Sequence, residues 1–219
     1  LEFRRVLFRS IRPTPFAGRI AHATPSGHGD GGVVNAKNLL APENRSAKRR
    51  GDLIHSWLQE FTWGEDGLPE AAALVNSAEA IADDLNSNEV ERWAHNLVEE
   101  AKTSGTDLHR TLTKPPVQKN ETLELWRERP FAVLRTSEGR QEVLSGKFDR
   151  VLLVRTTEGK PLRASIIDFK TDRFSSEQER AAIESRYAPQ LAAYRDALLL
   201  LCPELNARNV TASLVFVVA

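Results

Sequence analysis

Four β-rich segments lie between residues 121 and 170 and limit the folds that are open to this chain: ETLELWRE, FAVLRT, QEVLSGKFDRVLLVR and LRASIIDFK. The short sequences SEG and TTEG that separate the later segments are typical of tight turns. Strands joined by such short connections pair in opposite directions. The block therefore predicts an antiparallel meander at the centre of the fold.

Helical patterns precede and follow this block. Before it, apolar residues recur at helical spacing in RRGDLIHSWLQEF, PEAAALVNSAEAIADDL and NEVERWAHNLVEEA. After it, SSEQERAAIESR and APQLAAYRDALLLLC predict two helices, and VTASLVFVV predicts a closing strand. The order predicts an α/β domain over residues 49–219. The second and third of these helices, PEAAALVNSAEAIADDL and NEVERWAHNLVEEA, have acidic exposed faces. We predict that they form a helical insert over about residues 66–113, which packs on the domain or faces a partner.

Charge and cysteine content exclude several classes of protein. The formal net charge is zero, so the chain as a whole has no electrostatic preference for nucleic acid. The single cysteine, Cys202, cannot build a four-cysteine zinc or iron–sulfur site within the chain. No apolar run approaches the roughly 18 residues of a membrane span. We therefore expect a cytoplasmic protein without an iron–sulfur cluster.

The first 48 residues differ in composition from the rest. They begin with the basic stretch LEFRRVLFRS and continue with several prolines and the glycine-rich GHGDGG. Such composition is typical of a linker. We predict that residues 1–48 are a disordered linker or an artefact at the N-terminus. A linker would imply a further domain upstream.

The stretch IIDFKTD carries a carboxylate and an ammonium on one strand. Residues two apart in a strand share a face, so Asp168 and Lys170 project together while Ile167 and Phe169 project to the other side. An ion pair is one explanation, but a buried ion pair seldom stabilises a fold. The alternative is that this strand lines a catalytic cleft.

A second carboxylate, Asp149, lies in the preceding predicted strand and meets Asp168 if the register permits. Two adjacent carboxylates repel each other, and a shared divalent cation removes that cost. Both carboxylates and the main-chain carbonyl of Phe169 are oxygen ligands that suit Mg²⁺. His55 offers a nitrogen ligand, although a lone histidine at the edge of an apolar stripe is more often structural. Lys170 would then help to deprotonate the attacking water or stabilise charge on phosphorus.

Two further polar residues are placed by helical spacing. Gln190 and Tyr194 lie four apart and therefore share one helix face. An amide and a phenol there could hold a nucleotide or orient Lys170. Tyr194 is equally consistent with a core residue. Three arginines beyond the predicted strand are candidates for phosphate contacts or for solvated surface charges: Arg173, Arg180 and Arg186.

Five motifs in this order resemble the RecB-like branch of the PD-(D/E)XK nucleases: RGDLIHSWLQ, WRERPFAV, GKFDRVLLV, IIDFKTD and YAPQLAAYRDAL. The likeness covers residues 49–219 and is closest to the C-terminal nuclease domain of AddA-type helicase-nuclease subunits. It implies a restriction-endonuclease-like core with a central mixed β-sheet flanked by helices. The single cysteine argues against the iron–sulfur members of this branch.

The resemblance also implies roles for individual residues. His55, Asp149 and Asp168 would bind Mg²⁺, with Mn²⁺ as an alternative, and Lys170 would be catalytic. Gln190 and Tyr194 would form a glutamine–tyrosine motif near the substrate strand. Glu128, in WRERPF, lies where such nucleases often carry an acidic residue.

The resemblance implies a Mg²⁺-dependent deoxyribonuclease domain, the exonuclease part of an ATP-dependent helicase-nuclease in double-strand break repair and recombination. Its expected partners are single-stranded DNA, a helicase portion of the same polypeptide and a second helicase-nuclease subunit, with no membrane. Two alternatives remain open: a nuclease fold that only binds nucleic acid, and a subunit-interaction module that acts through the acidic helices.

Overall fold

The computed structural model describes residues 21–25, 42–78, 85–137 and 139–217. The predicted linker therefore lies largely outside the described residues. The described elements follow one another in this order: β1 (Ala21–Ala23), α1 (Pro42–Leu58), α2 (Ala71–Ala78), α3 (Ser87–Lys102), α4 (Asp107–Leu112), β2 (Glu121–Ser137), β3 (Arg140–Thr156), β4 (Pro161–Lys170), α5 (Glu177–Leu201) and β5 (Val210–Phe216).

These strands form one mixed five-stranded sheet built around β3. Strand β2 pairs with β3 in antiparallel fashion along almost its whole length. The other edge of β3 pairs with β4, antiparallel, and with β1, parallel. Strand β5 then pairs in parallel with β4. The prediction of an α/β fold with a restriction-endonuclease-like mixed sheet, flanked by helices, is confirmed.

Each face of the sheet packs against helices and forms its own core. The α1 core joins apolar residues of α1, α2, α3 and α4 to the sheet residues Ile167, Phe169 and Val215. The α5 core joins α5 to the other face, which includes Phe148 and Ile166. Because Ile166 belongs to one core and Ile167 to the other, the predicted two-residue alternation of β4 is confirmed. The side of β4 that carries Asp168 and Lys170 is therefore the α5 side.

Two short segments inside the predicted linker are structured. Residues Ala21–Ala23 pair with residues 142–144 of β3, and His22 Nε2 lies 2.9 Å from Ser145 Oγ. Helix α1 begins at Pro42, seven residues before the predicted start of the domain. Residues 21–23 form a strand because the edge of β3 offers unpaired backbone groups to them. The boundary of the linker at residue 48 stays a prediction.

In two places the sequence predicted two separate elements where the structure has one continuous element. The two helices predicted after β4 are one helix, α5, which contains Pro189 in its interior. A proline removes a single backbone hydrogen bond, and packing of the flanking turns on the sheet can offset that loss. Likewise, ETLELWRE and FAVLRT belong to one strand, β2. No helix in the described part of the chain is long and apolar enough to span a membrane.

Candidate active site

A cavity of about 560 Å³ opens between α1, α5 and the three neighbouring strands β2, β3 and β4. It is lined mostly by polar side chains: Asp52, His55, Ser56, Gln59, Glu128, Lys147, Asp149, Asp168, Lys170, Gln190 and Tyr194. All six side chains that the sequence singled out as site residues are therefore brought together. Their individual roles remain predictions.

The register of β3 against β4 brings the two aspartates together. Arg150 pairs with Ile167, so the next positions along the two strands, Asp149 and Asp168, lie opposite each other. The Phe169 amide donates a hydrogen bond of 2.8 Å to Asp149 Oδ2, which holds the first carboxylate against β4. The condition on which the sequence prediction depended, a register that lets the two carboxylates meet, is thus fulfilled.

A third carboxylate comes from β2. The pairing of β2 with β3 runs from Arg127 opposite Arg150 to Arg129 opposite Phe148, and skips the position between, where Glu128 lies opposite Asp149. Glu128 has a φ of 45°, in the left-handed region that a residue with a side chain rarely adopts. Such strain is typical of functional sites, where packing of the surroundings holds it in place. Three adjacent strands therefore each contribute one carboxylate.

His55 completes a group that could hold a metal ion. It lies on α1, and its Nδ1 is 3.5 Å from Asp149 Oδ2. One ligand atom each from His55, Glu128 and Asp149 lie within 4.8 Å of one another. Two carboxylates and an imidazole are a donor set that suits Mg²⁺ or Mn²⁺. Glu128, which the sequence suggested only as a supporting residue, is thus a member of this group.

Asp168 is engaged differently and is not part of that group. Its carboxylate is 2% exposed. Lys170 Nζ lies 2.7 Å from Asp168 Oδ2, yet at an angle that makes no hydrogen bond, so Oδ2 accepts none from the residues that the structure describes. The Gln190 amide contacts Oδ1 at 3.5 Å. Asp168 Oδ2 therefore faces a cation already, the Lys170 ammonium. Because Asp149 and Glu128 add two further carboxylates in the same cavity, the site as a whole fits a divalent metal.

Burial changes the protonation of this cluster. It raises the pKa of Asp149 to about 6, because the ionised form loses hydration. Burial, followed by repulsion from Asp149, raises the pKa of Asp168 to about 6 as well. Burial also lowers the pKa of His55, which favours the neutral imidazole that can bind a metal. Without a cation, the two carboxylates therefore ionise at a higher pH than ordinary aspartates do.

Helix α5 supplies the wall opposite α1. The Gln190 amide donates to the Tyr194 hydroxyl at 3.2 Å, and both residues are buried. Tyr194 also contacts the rings of Phe131 and Phe148 in the α5 core. Tyr194 therefore satisfies both interpretations of the sequence, since its ring belongs to the core and its hydroxyl lines the cavity. For Phe169, the structure shows the amide contact to Asp149, and its carbonyl as a ligand stays a prediction.

Several residues near the site were not singled out by the sequence. Lys147 contacts the Glu128 carboxylate and lines the cavity. Its position two residues before Asp149 in a strand was a usable signal. Arg150 is 1% exposed and donates to the carbonyls of Phe61 and Thr62, just beyond the end of α1. No spacing rule predicts this contact, because its partners lie about 90 residues away in the chain.

The three arginines proposed for phosphate contacts are not equivalent. Arg186 donates to Asp172 at 2.6 Å. Arg180 donates to Glu184 at 2.9 Å and lies 3.6 Å from Asp107. Arg173 is exposed. The first two are thus paired with carboxylates within the chain, which weakens their case as phosphate ligands.

Comparison with known families adds an independent observation. The sequence model of the PD-(D/E)XK nuclease superfamily matches residues 32–218, a range that includes every element from α1 to β5. A search of curated proteins found no match. The matched range contains all the carboxylates, both lysines and the histidine that line the cavity.

Proposed function

Because the chain belongs to the PD-(D/E)XK nuclease superfamily, we propose that it is a divalent-metal-dependent deoxyribonuclease domain that hydrolyses phosphodiester bonds in single strands. One observation carries this proposal. Glu128, Asp149 and Asp168, from three adjacent strands, meet in one cavity together with Lys170. An arrangement that served only stability would not place a buried acid, Asp168, beside two half-buried ones, Glu128 and Asp149.

The metal site follows from the donor atoms in the cavity. Asp149, Glu128 and His55 would hold the cation, and the Asp168 carboxylate, which faces Asp149, would contribute a further oxygen. When bound, a divalent cation polarises a phosphoryl oxygen and lowers the pKa of a water molecule. We propose Mg²⁺, with Mn²⁺ as a substitute, because carboxylate oxygens dominate the set.

The remaining residues of the cavity would act on the substrate. Lys170, whose amine lies beside Asp168, would orient the attacking water and stabilise the negative charge that grows on the phosphate oxygens. Gln190 and Tyr194 would hold the Asp168 carboxylate in place through the amide contact. Lys147, exposed at the cavity rim, would attract the DNA backbone.

The wider setting is a further part of the proposal. The likeness of the five motifs to AddA-type subunits supports an exonuclease domain of a cytoplasmic helicase-nuclease in double-strand break repair and recombination. A helicase portion of the same polypeptide and a second subunit would then deliver the strand. An upstream coding sequence with a Gly-Lys-Ser/Thr phosphate-binding loop would support this setting, and an unrelated one would contradict it.

A cleavage assay tests the core of the proposal. End-labelled single-stranded DNA is incubated with the protein over a titration of Mg²⁺, and with EDTA. We expect cleavage that needs the metal and falls by a factor on the order of 10² to 10⁴ in Lys170→Ala. Asp168→Ala should abolish cleavage while circular dichroism shows an unchanged fold.

Lys160→Ala is the matched control, because Lys160 is exposed in the turn between β3 and β4. It should cleave like the wild type. Full activity of Lys170→Ala, or cleavage that survives EDTA, would contradict the proposed chemistry. A protein that binds single strands in Mg²⁺ but never cuts them would support the alternative of a non-catalytic binding module.

A further inference from the structure

A second cavity, of about 490 Å³, adjoins the catalytic cavity along β2. The two cavities share the lining residues Gln59 and Glu128. The second one extends over the strand segment from Leu125 to Pro130, and apart from Glu128 none of its lining residues has a role assigned above. Its volume falls within the roughly 300–1,000 Å³ of small-ligand sites. A DNA strand that passes through the catalytic cavity could therefore continue directly into the second cavity.

The wall of this second cavity carries an arginine side chain that lies over an indole ring. The Arg129 guanidinium lies 4.0 Å from the centre of the Trp126 ring. Trp126 is buried, whereas the Arg129 side chain is 51% exposed. Glu124 steadies the pair, since it accepts a hydrogen bond from Trp126 Nε1 at 2.6 Å and lies 3.7 Å from Arg129 Nη1. One face of the guanidinium thus rests on the indole, while the other is accessible.

A second arginine stands two residues away on the same strand. Arg127 is exposed, and its Nη1 donates to the main-chain carbonyl of Gln59 just beyond the end of α1. Within the described ranges it makes no ion pair with a carboxylate. Its other N–H groups are therefore available to an anion at the junction of the two cavities. An arginine fork is well suited to phosphate oxygens.

We propose that this second cavity binds the nucleotide next to the scissile phosphate, with its base stacked on Arg129 and its phosphate bound by Arg127. Bases stack readily on a guanidinium plane, and such stacking is independent of sequence. The base must be unpaired to reach Arg129, so the site selects single strands over duplexes. This inference rests on the proposed function and adds a source of substrate specificity to it.

The experiment compares two oligonucleotides of equal length and charge, oligothymidylate and a chain of abasic residues. Affinities are measured by fluorescence anisotropy in Mg²⁺, in a Lys170→Ala background in which the expected cleavage is slow compared with the binding measurement. We expect oligothymidylate to bind about 5- to 100-fold more tightly, the usual worth of stacking one base. Arg129→Lys keeps the positive charge but loses the planar guanidinium, and should reduce the ratio of the two affinities to near one.

Arg127→Gln should act differently. It should weaken the binding of both oligonucleotides by a similar factor and lower the salt slope of binding by about 1, as expected for one lost phosphate contact. Arg140→Lys is the matched control. Arg140 is exposed on β3, eight residues before the partner of Arg129, which places it about 25 Å away.

The outcomes separate this inference from the function on which it rests. If Arg129→Lys keeps the full ratio, or if oligothymidylate and the abasic chain bind equally well from the start, the stacking site is wrong although the wild type still cleaves DNA. If neither strand binds, the inference is wrong as well. If the wild-type protein fails to cleave DNA in any divalent metal, the proposed function is what has failed.

Discussion

The Lys170 amine lies over the face of the Tyr187 ring, 4.5 Å from its centre. Asp172 fixes that ring from the other end, because the Tyr187 hydroxyl donates to Asp172 Oδ2 at 3.1 Å. Arg186 also lies over the ring, at 4.9 Å from its centre, and donates to Asp172 Oδ1. Lys170 is therefore positioned between the carboxylate of Asp168 and an aromatic face that is itself held in place.

Replacement of Tyr187 tests whether this ring positions the lysine. A cation over a ring contributes about 0.5–2 kcal/mol. We expect Tyr187→Leu to lower the cleavage rate about 3- to 30-fold with little change in the apparent affinity for DNA. Tyr187→Phe keeps the ring and should recover most of the rate. If the two variants are equally impaired, the hydroxyl contact to Asp172 matters more than the ring.

Removal of the Glu128 charge should weaken metal binding. Glu128 belongs with His55 and Asp149 to the group whose ligand atoms lie within 4.8 Å of one another. Affinity for a hard cation depends on the number of ligand charges. We expect Glu128→Gln to bind Mn²⁺ at least about tenfold more weakly in a calorimetric titration. Glu142→Gln, on the same hairpin but outside the cavity, is the control, and equal affinities of the two variants would remove Glu128 from the site.

The raised pKa of Asp149 should make the metal-free protein less stable as pH rises. Its folded pKa of about 6 exceeds the model-peptide value of 3.8, so the folded state binds the proton more tightly than the unfolded state does. The loss in the free energy of unfolding that comes from ionising Asp149 in the folded state is absent below about pH 4 and fully present above about pH 6. It amounts to about 1–3 kcal/mol.

Asp149→Asn removes that cost and keeps an oxygen that can accept the Phe169 amide. In EDTA, urea unfolding should show the variant to be more stable than the wild type at pH 8. The advantage should shrink as pH falls from about 6 to about 4. An advantage of the same size at every pH would mean that the carboxylate titrates normally in the folded state.

Arg150 should be among the residues on which stability depends most. It is buried, lies over the Trp63 ring at 4.8 Å and donates to two carbonyls that follow α1. Loss of the side chain removes this donor from a buried carbonyl, that of Phe61, and from a half-buried one, that of Thr62. We expect Arg150→Ala to lower the free energy of unfolding by about 2–4 kcal/mol.

Arg150 also joins β3, which carries Asp149, to the helix that carries His55. We therefore expect Arg150→Ala to lose Mn²⁺ affinity even at temperatures where it remains folded. The control for both measurements is Arg140→Ala, since Arg140 is exposed on the same strand. A melting temperature and a metal affinity like those of the control would show that α1 is held by its apolar contacts alone.

Those features of the site that depend on short-range periodicity could be predicted from the sequence. Asp168 and Lys170 share a side of β4 because side chains alternate along any strand. Gln190 and Tyr194 meet because a helix places residues four apart on one face, and the structure joins them by a hydrogen bond. The mixed sheet with helices on both faces followed from the motifs together with the order of the elements. The shared face of Asp168 and Lys170 and that of Gln190 and Tyr194 are local properties, so they need no knowledge of distant contacts. The mixed sheet is not local, and only the resemblance of the motifs to a known family implied it.

The tertiary structure alone decided which residues of neighbouring strands lie opposite each other. Register pairs Arg150 with Ile167 and so sets Asp149 against Asp168, and a skipped pair in β2 brings Glu128 to the same row. Packing of both sheet faces selects this register, because a slip of one residue would move every apolar side chain of a strand to the wrong core. The contact of Arg150 with the end of α1 and the pairing of β1 depend on residues far apart in the chain. The sequence by itself therefore determined which residues could act, and long-range packing determined that they meet.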